Sequence, residues 1–327
     1  MEGLRRCIIT KFVGRRGSIA LAKESSRGTA TVTSAIWVPW ATIDFDDKVE
    51  AVRETQAFGR RASGDSSYVT QQMGEGKIEA ELYDKALGLI LSSLLGSAPV
   101  TTGSNPYTHT FTLSNSNQNQ SLSILYQDPD TAKIFPLGVV DSCKITVDQN
   151  AIVKYEVSFK SKVGRDWTLQ TASFTSLGSK FLHQHLSFKT AATVGALSGS
   201  TAISLKKLEL EIKNNTIFDS VLGTVEPEDI LSNEFSVSGN IELFKQDETY
   251  RRLMLDGTYK AMEIKFTGSA SSSLQLQFPR TSWTEWEQDR KLNDIVGQKI
   301  NFEANYDAAN ALEPISTCVL VNTQTSY

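Results

Sequence analysis

Apolar and acidic residues alternate in two stretches of the chain, residues 43–46 and 209–212. In the first, Ile43 and Phe45 alternate with Asp44 and Asp46, and in the second, glutamates alternate with a leucine and an isoleucine. A period of two is typical of a strand that buries one face and exposes the other. Each stretch is therefore predicted to be a β-strand with its acidic side turned away from the core.

Two other stretches have the spacing of a helix. Apolar residues recur at i, i+3, i+4 and i+7 from Leu87 to Leu94, and Gly96 follows. A shorter series begins at Tyr250 and is followed by Gly257. The spacing predicts two amphipathic helices, each ended by a glycine that can adopt the left-handed conformation of a C-terminal cap.

These elements occur in the same order in the two halves of the chain. Further alternating stretches match in the same way: residues 107–111 with 262–266, 122–126 with 274–278, and 153–159 with 300–306. The offset falls from 167 residues, between Ile43 and Leu210, to 147, between Val153 and Ile300. Loops change length more readily than strands, so this pattern is typical of a duplicated domain.

The predicted fold class is mainly β (α+β), with two tandem β-sandwich or barrel domains that each carry one flanking α-helix. Residues 164–199 are rich in serine, threonine and glycine and are expected to hold the linker. We place the boundary near Lys180. Residues 1–180 then form an N-terminal arm and the first domain, and residues 181–327 form the second domain and a C-terminal tail. The tail, residues 308–327, has no expected counterpart in the first half.

The composition is that of a folded chain, with 40% hydrophobic and 21% charged residues in 327 and a net charge of −4. Residues 181–327 are the acidic part, which argues against a nucleic-acid-binding face there. The first thirty residues are basic and are expected to form an arm that docks on a neighbouring molecule. They lack the apolar core of a secretory signal, and no apolar run is long enough for a membrane span.

No set of residues predicts catalysis, a metal site or a bound cofactor. The three cysteines, Cys7, Cys143 and Cys318, are far apart and are expected to be reduced. His183 and His185 would share one face of a strand, but no third ligand accompanies them. His109 lies in an apolar alternation and is expected to be a hydrogen-bonded structural residue. An enzyme is therefore not expected.

The strand, helix, strand unit resembles the phage tail tube protein family. The likeness is carried by five stretches: GEGKIEAELYDKALGLILSSLLGS (74–97), YTHTFTL (107–113), SLSILYQD (121–128), GVVDSCKITVDQN (138–150) and VKYEVSFKSK (153–162). It covers most of residues 40–163 directly and residues 205–307 through the repeat. None of these stretches is a catalytic signature.

The resemblance implies a structural virion protein without cofactors. Such proteins form rings that stack into a tube, which conducts DNA into the host without binding it specifically. Two tube-like domains per chain imply a trimer that imitates a hexameric ring. The expected partners are further copies of the chain and other tail proteins, and no membrane. The expected location is the virion tail, assembled in the host cytoplasm.

The resemblance also indicates candidate residues. An acidic or neutral lining would let DNA slide, because phosphates bind basic surfaces. The candidates for the lumen face are Asp44, Asp46, Glu79, Glu81, Glu209, Glu211 and Glu242, although simple solvent exposure is an open alternative for each. The polar loops at residues 46–76, with Arg60, Arg61 and Tyr68, and at residues 214–239 are candidates for inter-ring or inter-subunit contacts, or are plain exposed hairpins.

Two alternatives remain. A baseplate or tail-completion protein would share the fold. A carbohydrate-binding module of two β-sandwich domains would use Trp283 and Trp286 as an aromatic platform and would be monomeric.

Overall fold

The computed structural model describes residues 11–62, 64, 66–174, 177–290, 292 and 295–327. Strands make up 50% of the chain and helices 9%, which confirms the mainly β fold class. Cys7 and the first ten residues of the basic arm lie outside the described residues. The predicted division into two domains near Lys180 stays a prediction.

The first half contains ten strands and one α-helix among the residues that the structure describes. They are β1 (Ser18–Lys23), β2 (Ile36–Val38), β3 (Thr42–Arg53), β4 (Ser67–Glu81), α1 (Asp84–Leu95), β5 (Val100–Thr102), β6 (Tyr107–Phe111), β7 (Leu122–Gln127), β8 (Ala132–Asp148), β9 (Lys154–Ser161) and β10 (Arg165–Trp167). Gly96 ends α1 in the left-handed conformation, with φ of 75°, and its N–H donates to the carbonyl of Ser92, as the sequence predicted.

The second half contains nine strands and one α-helix in its described residues. They are β11 (Leu186–Ala191), β12 (Lys207–Lys213), β13 (Ile217–Asp219), β14 (Asp229–Leu231), β15 (Ser236–Phe244), α2 (Thr249–Leu255), β16 (Lys260–Ser269), β17 (Ser272–Asp289), β18 (Gly297–Asn305) and β19 (Thr317–Asn322). His183 and His185, predicted on a strand, lie instead in a short 3-10 turn, His183–His185, directly before β11.

A central antiparallel sheet runs through both halves. Its strand order is β3-β4-β9-β8-β12-β15-β18-β17. The two halves meet where residues 142–148 of β8 pair with residues 207–213 of β12. Hydrogen bonds between backbones therefore continue without a gap from the first half into the second.

The long strands β8 and β17 each belong to two layers. The first part of β8 pairs with β7 and β10, and β7 continues to β1 and β2. The first part of β17 pairs with β16 and β19; β16 continues to β11, and β19 to β6 and β5. One contiguous apolar core, with residues from both halves, fills the space between these outer strands and the central sheet.

Helix α1 is part of this core. Its apolar residues from Leu87 to Leu95 are buried, and the ring of Tyr327 lies directly against Gly88. A Cβ at position 88 would collide with that ring, so the glycine permits the close approach. The C-terminal segment of the chain thus covers a helix of the first half.

The transition of β8 between the two layers depends on a buried carboxylate. Leu137, just before the transition, has φ of 58°, in the left-handed region that non-glycine residues rarely adopt. Its N–H donates to Glu24 over 2.9 Å. Glu24 is buried and also accepts hydrogen bonds from Ser121, Ser123 and the N–H of Gly28. Four donors thus replace water around this carboxylate.

We predict that Glu24→Gln destabilises the protein by roughly 2–4 kcal/mol, because the amide group turns a donor toward groups that are themselves donors. Urea unfolding followed by circular dichroism would measure the loss as a lower midpoint. Glu75→Gln, at an exposed position on β4, is the matched control and should leave the midpoint unchanged. Equal midpoints for the two variants would contradict the role given to Glu24.

Candidate assembly surfaces

The side of the central sheet that faces away from the core is called here the polar face. On β3, Asp44 and Asp46 flank the buried Phe45, and on β12, Glu209 and Glu211 flank the buried Leu210. Glu79 and Glu81 alternate with buried residues on β4, and Glu242 does so on β15. All seven residues proposed from the sequence therefore lie on one face of one sheet, across both halves of the chain.

Acidic side chains outnumber basic ones on the polar face. The further acidic residues that the strand alternation places there are Glu75, Asp141, Asp148, Glu156, Glu285, Glu287, Asp289 and Glu303. The basic ones are Lys48, Lys77, Lys144, Lys154, Lys160, Lys207, Lys213 and Lys299. The face is thus mixed in charge with an acidic excess.

Several of the lysines are held by carboxylates. Glu209 accepts from Lys207 over 2.8 Å, and Lys144 approaches it to 3.1 Å. The hydrogen bond from Lys207, with further help from Lys144 and Asn240, lowers the pKa of Glu209 to about 2 although its partial burial acts the other way. Lys77 is paired with Glu156 over 2.8 Å, which raises the pKa of the lysine. These ion pairs favour the charged forms of Glu209 and Lys77 at neutral pH.

The two borders of the central sheet are strand edges. Among the described residues, β3 has β4 as its only strand partner, and residues 285–289 of β17 have only β18. Each border strand therefore presents backbone donors and acceptors that another strand can pair with. Sequence reasoning missed the edge on β17, although Glu285, Glu287 and Asp289 alternate with less polar residues there.

The prediction of a loop over residues 46–76 is wrong for most of that range. β3 and β4 continue as an antiparallel ribbon out to the pair of Arg53 and Ser67, so only residues 54–66 connect them. Arg60 and Arg61 are exposed in this connection, and Tyr68 lies in the ribbon itself. The ribbon and its connection also expose apolar side chains: Val49, Val52, Phe58, Tyr68 and Val69. A group of exposed apolar side chains is typical of a contact surface.

The second candidate loop, residues 214–239, contains the small hairpin of β13 and β14. It packs back on the first half of the chain. The carbonyl of Val225 accepts from the N–H of Gln72 over 2.8 Å, and Arg27 forms an ion pair with Asp229 over 2.8 Å. This hairpin is thus held against its own chain, and through Gln72 it contacts the base of the β3–β4 ribbon.

The two helices differ in how far they are covered. Nearly all of α1 is buried, whereas Tyr250 is the one buried residue of α2, and Leu255 is 61% exposed. A cavity of about 500 Å³ opens between the ends of β15, β17 and β18. Its lining includes Phe244, Glu242, Glu287, Asp289 and Gln298. The second half therefore has an open concave surface at the ends of three strands of its sheet.

The tryptophan, histidine and cysteine side chains considered from the sequence are packed into the fold. Trp283 is buried and packs edge-on against Tyr250, so it does not form an open aromatic platform with Trp286. His109 is buried and accepts or donates hydrogen bonds with Thr101 and the carbonyl of Gln324; burial lowers its pKa. Cys143 and Cys318 are buried and free.

In the described part of the chain, no three histidine, cysteine or acidic side chains are grouped closely enough to hold a metal ion. No helix in those residues combines the length and the apolar character needed to cross a membrane.

A family model described as phage tail tube protein matches residues 14–308 of the 327-residue chain. The match includes both halves of the central sheet and both helices. No curated protein matches the chain.

Proposed function

The chain belongs to the family of phage tail tube proteins, structural components of the virion tail, and from this premise we propose that three copies close into a ring. The rings stack into a tube through which DNA passes to the host. In this proposal the protein acts by assembly and not by catalysis. The observation that carries the proposal is the central sheet, which crosses both halves of the chain and ends in a strand edge on each side.

The pairing order within the chain supports two tube-like units. In the first half β3 pairs with β4, β4 with β9, β9 with β8, and β8 with β7. In the second half β12 pairs with β15, β15 with β18, β18 with β17, and β17 with β16. Even β19, in the tail without an expected counterpart, pairs with β17 as β10 pairs with β8.

The junction between β8 and β12 serves as a template for the junction between chains. By pairing order, β17 in the second half corresponds to β8 in the first, and β3 in the first half corresponds to β12 in the second. The free edge of β17 in one copy would then pair with the free edge of β3 in the next, just as β8 pairs with β12 inside the chain. Repeating the junction around a ring removes every free edge of the central sheet.

The polar face is our candidate for the lumen lining. A duplex carries closely spaced phosphates and binds surfaces that offer unpaired basic groups. The acidic excess, and the pairing of lysines such as Lys144 and Lys77 with carboxylates, would let DNA slide without being held. The exposed β3–β4 ribbon, with Arg60, Arg61 and Tyr68, is the candidate for contact with the next ring.

We predict that the purified protein forms rings or tubes with a central hole and threefold symmetry of whole chains. Electron microscopy over a concentration series, with averages of end-on views, would test this. Sixfold symmetry of whole chains would keep the tube and reject the trimer. Monomers that persist at high concentration would contradict the assembly proposal.

The seam between copies is predicted to carry like charges. Phe45 lies opposite Gly76 and Leu210 lies opposite Gly239, so the strand registers match Asp46 with Glu211, and not Ile43 with Leu210 as aligned from the sequence. The registers of β9 and β18 likewise match Lys144 with Glu287. Transferring the internal junction, in which Glu211 lies opposite Lys144, then places Asp46 of one copy opposite Glu287 of the next. Like charges that face each other across strands cost roughly 0.2–1 kcal/mol. Asp46→Lys should therefore promote ring formation at low salt, as followed by sedimentation velocity, and salt should do the same for the unaltered protein.

Glu75→Lys is the matched control for this seam. It makes the same charge change on the same face, opposite Asp46 but inside the chain on β4. If both variants assemble alike, the proposed register across the seam is wrong.

Replacing acids of the polar face should create DNA binding. The triple variant Asp44→Lys, Glu79→Lys and Glu211→Lys would line the lumen with basic groups, so tubes should retain double-stranded DNA on co-sedimentation, less so as salt rises. The control changes three exposed acids outside the polar face: Asp130, Glu228 and Asp256. Equal DNA binding by the two variants would show that the polar face does not line the passage.

A further inference from the structure

The segment between the two halves inserts a side chain into the core. Phe181 is fully buried, and its ring lies 5.7 Å from that of Phe266. Its N–H donates to the carbonyl of Leu82 over 3.1 Å, and its carbonyl accepts from the N–H of Val153 over 3.0 Å. The segment thus acts as a short strand between the ends of β4 and β9. It precedes β11, the first strand of the second half, but its backbone pairs with the first half.

Residues 11–13 resemble this segment in sequence and in position. Lys11-Phe12-Val13 corresponds to Lys180-Phe181-Leu182. Each is followed by a 3-10 turn, Gly14–Arg16 in one case and His183–His185 in the other, and then by a strand. Those strands, β1 and β11, pair with β7 and β16, which hold the same place in the two pairing orders.

The burial of the two segments differs. Phe181 is 0% exposed, whereas Phe12 is 38% exposed and Val13 is 70% exposed. The segment with Phe181 has a preceding unit on which to dock, namely the first half of the same chain. Residues 11–13 precede the first half, so within the described chain they have no such unit before them.

The second half contains a site that corresponds to the one that receives Phe181. In the first half, the N–H of Leu82 donates to the carbonyl of Val153 over 2.8 Å. Phe181 forms one further backbone hydrogen bond with each of these two residues. In the second half, the N–H of Lys245 donates to the carbonyl of Val296 over 2.9 Å. The bonds that Phe181 makes have no counterpart at Lys245 and Val296 among the described residues.

The cavity of about 500 Å³ described above opens at this site, since Phe244 and Gly297 in its lining adjoin Lys245 and Val296. The net charges of the two surfaces are opposite. The lining contains Glu242, Glu287 and Asp289 beside Lys206 and Lys299, an excess of one acid, while Lys11, Arg15 and Arg16 belong to or directly follow the exposed segment and are all basic. An excess of opposite charge on two facing surfaces favours their encounter.

We propose that residues 11–13 of one copy dock between Lys245 and Val296 in the second half of a neighbouring copy, with Phe12 in the place that Phe181 takes inside the chain. The partner is a second copy of this chain. The proposal rests on the ring assembly proposed above and gives it a second contact, separate from the strand seam. It also assigns a site to the basic arm that the sequence predicted to dock on a neighbour.

Paired cysteines test the contact directly. Lys180 lies opposite Tyr83 as an antiparallel bridge, and Gln246 follows Lys245 as Tyr83 follows Leu82. In a Cys7→Ser background, the variant Lys11→Cys with Gln246→Cys should form disulfides between chains, seen as covalent dimers and trimers on a non-reducing gel. Opposed residues of an antiparallel pair have the Cα separation that a disulfide needs.

Three controls separate the outcomes. Each single-cysteine variant should give only background cross-linking, and Tyr83→Cys with Lys180→Cys should give a disulfide within one chain. Rings in the micrographs without cross-links above background would overturn this docking site while leaving the proposed function intact. If the protein forms no rings at all and no cross-links, both proposals fail.

A second set of variants tests the side chain. Phe12→Ala should raise the concentration for half-maximal ring formation about 30-fold, as expected for loss of an aromatic anchor at an interface. It should leave the thermal midpoint of the unassembled chain unchanged, because Phe12 is not part of its core. Phe12→Leu should restore most of the assembly, and Phe181→Ala should lower the thermal midpoint instead. Ring formation by Phe12→Ala at the unaltered protein's concentration would overturn the proposal.

Discussion

The backbone pairing of β8 with β12 is the constraint on which the rest of this molecule depends. It joins the two halves into one sheet through seven consecutive residue pairs, from Lys207 opposite Asp148 to Lys213 opposite Ser142. The same pairing leaves the sheet with two borders, on β3 and at the end of β17. An exposed edge in a sheet of this size invites uncontrolled pairing. A family that builds tubes offers a controlled solution, because each border can pair with the opposite border of another copy.

Local patterns of the sequence were sufficient to predict some strands and helices and not others. The alternation around Phe45 and Leu210 predicted β3 and β12, and the spacing from Leu87 to Leu94 with Gly96 predicted α1, because each of these elements buries one side. The ribbon of β3 and β4 beyond Asp47 was missed. From Val49 to Arg53 and from Ser67 to Thr70 both faces are exposed, so no alternation of apolar and polar residues is needed to form the strands there, whereas Met73, opposite Lys48, is buried.

Those local patterns could not predict contacts between residues that are distant in the sequence. The insertion of Phe181 into the core was not predicted, since its neighbours are the serine, threonine and glycine residues of a linker. The seven acidic candidates were found because alternation alone assigns a side of each strand. That these sides form one continuous face depends on the β8–β12 junction, which joins residues about 60 to 70 positions apart. The repeat aligned from the sequence differs from the pairing order. It matched β6 with β16 and β7 with β17, whereas the pairing order matches β7 with β16 and β8 with β17. It also shifted β9 against β18 by four residues, since Phe159 and Phe302 lie opposite the matching glycines Gly76 and Gly239.

The charge arrangement on the polar face reconciles two demands that the proposed tube would make. A wholly acidic lining would repel DNA but also repel itself and oppose ring closure. Lysines within the face reduce that repulsion, yet each unpaired lysine would hold a phosphate. Lys77, Lys144 and Lys207 each have a carboxylate within 3.1 Å. A lysine whose carboxylate partner belongs to the same face relieves the repulsion locally while its charge is largely cancelled at the distance of a passing duplex. Pairing within the face, and not its net charge alone, is therefore the property that would keep the passage both stable and non-adhesive.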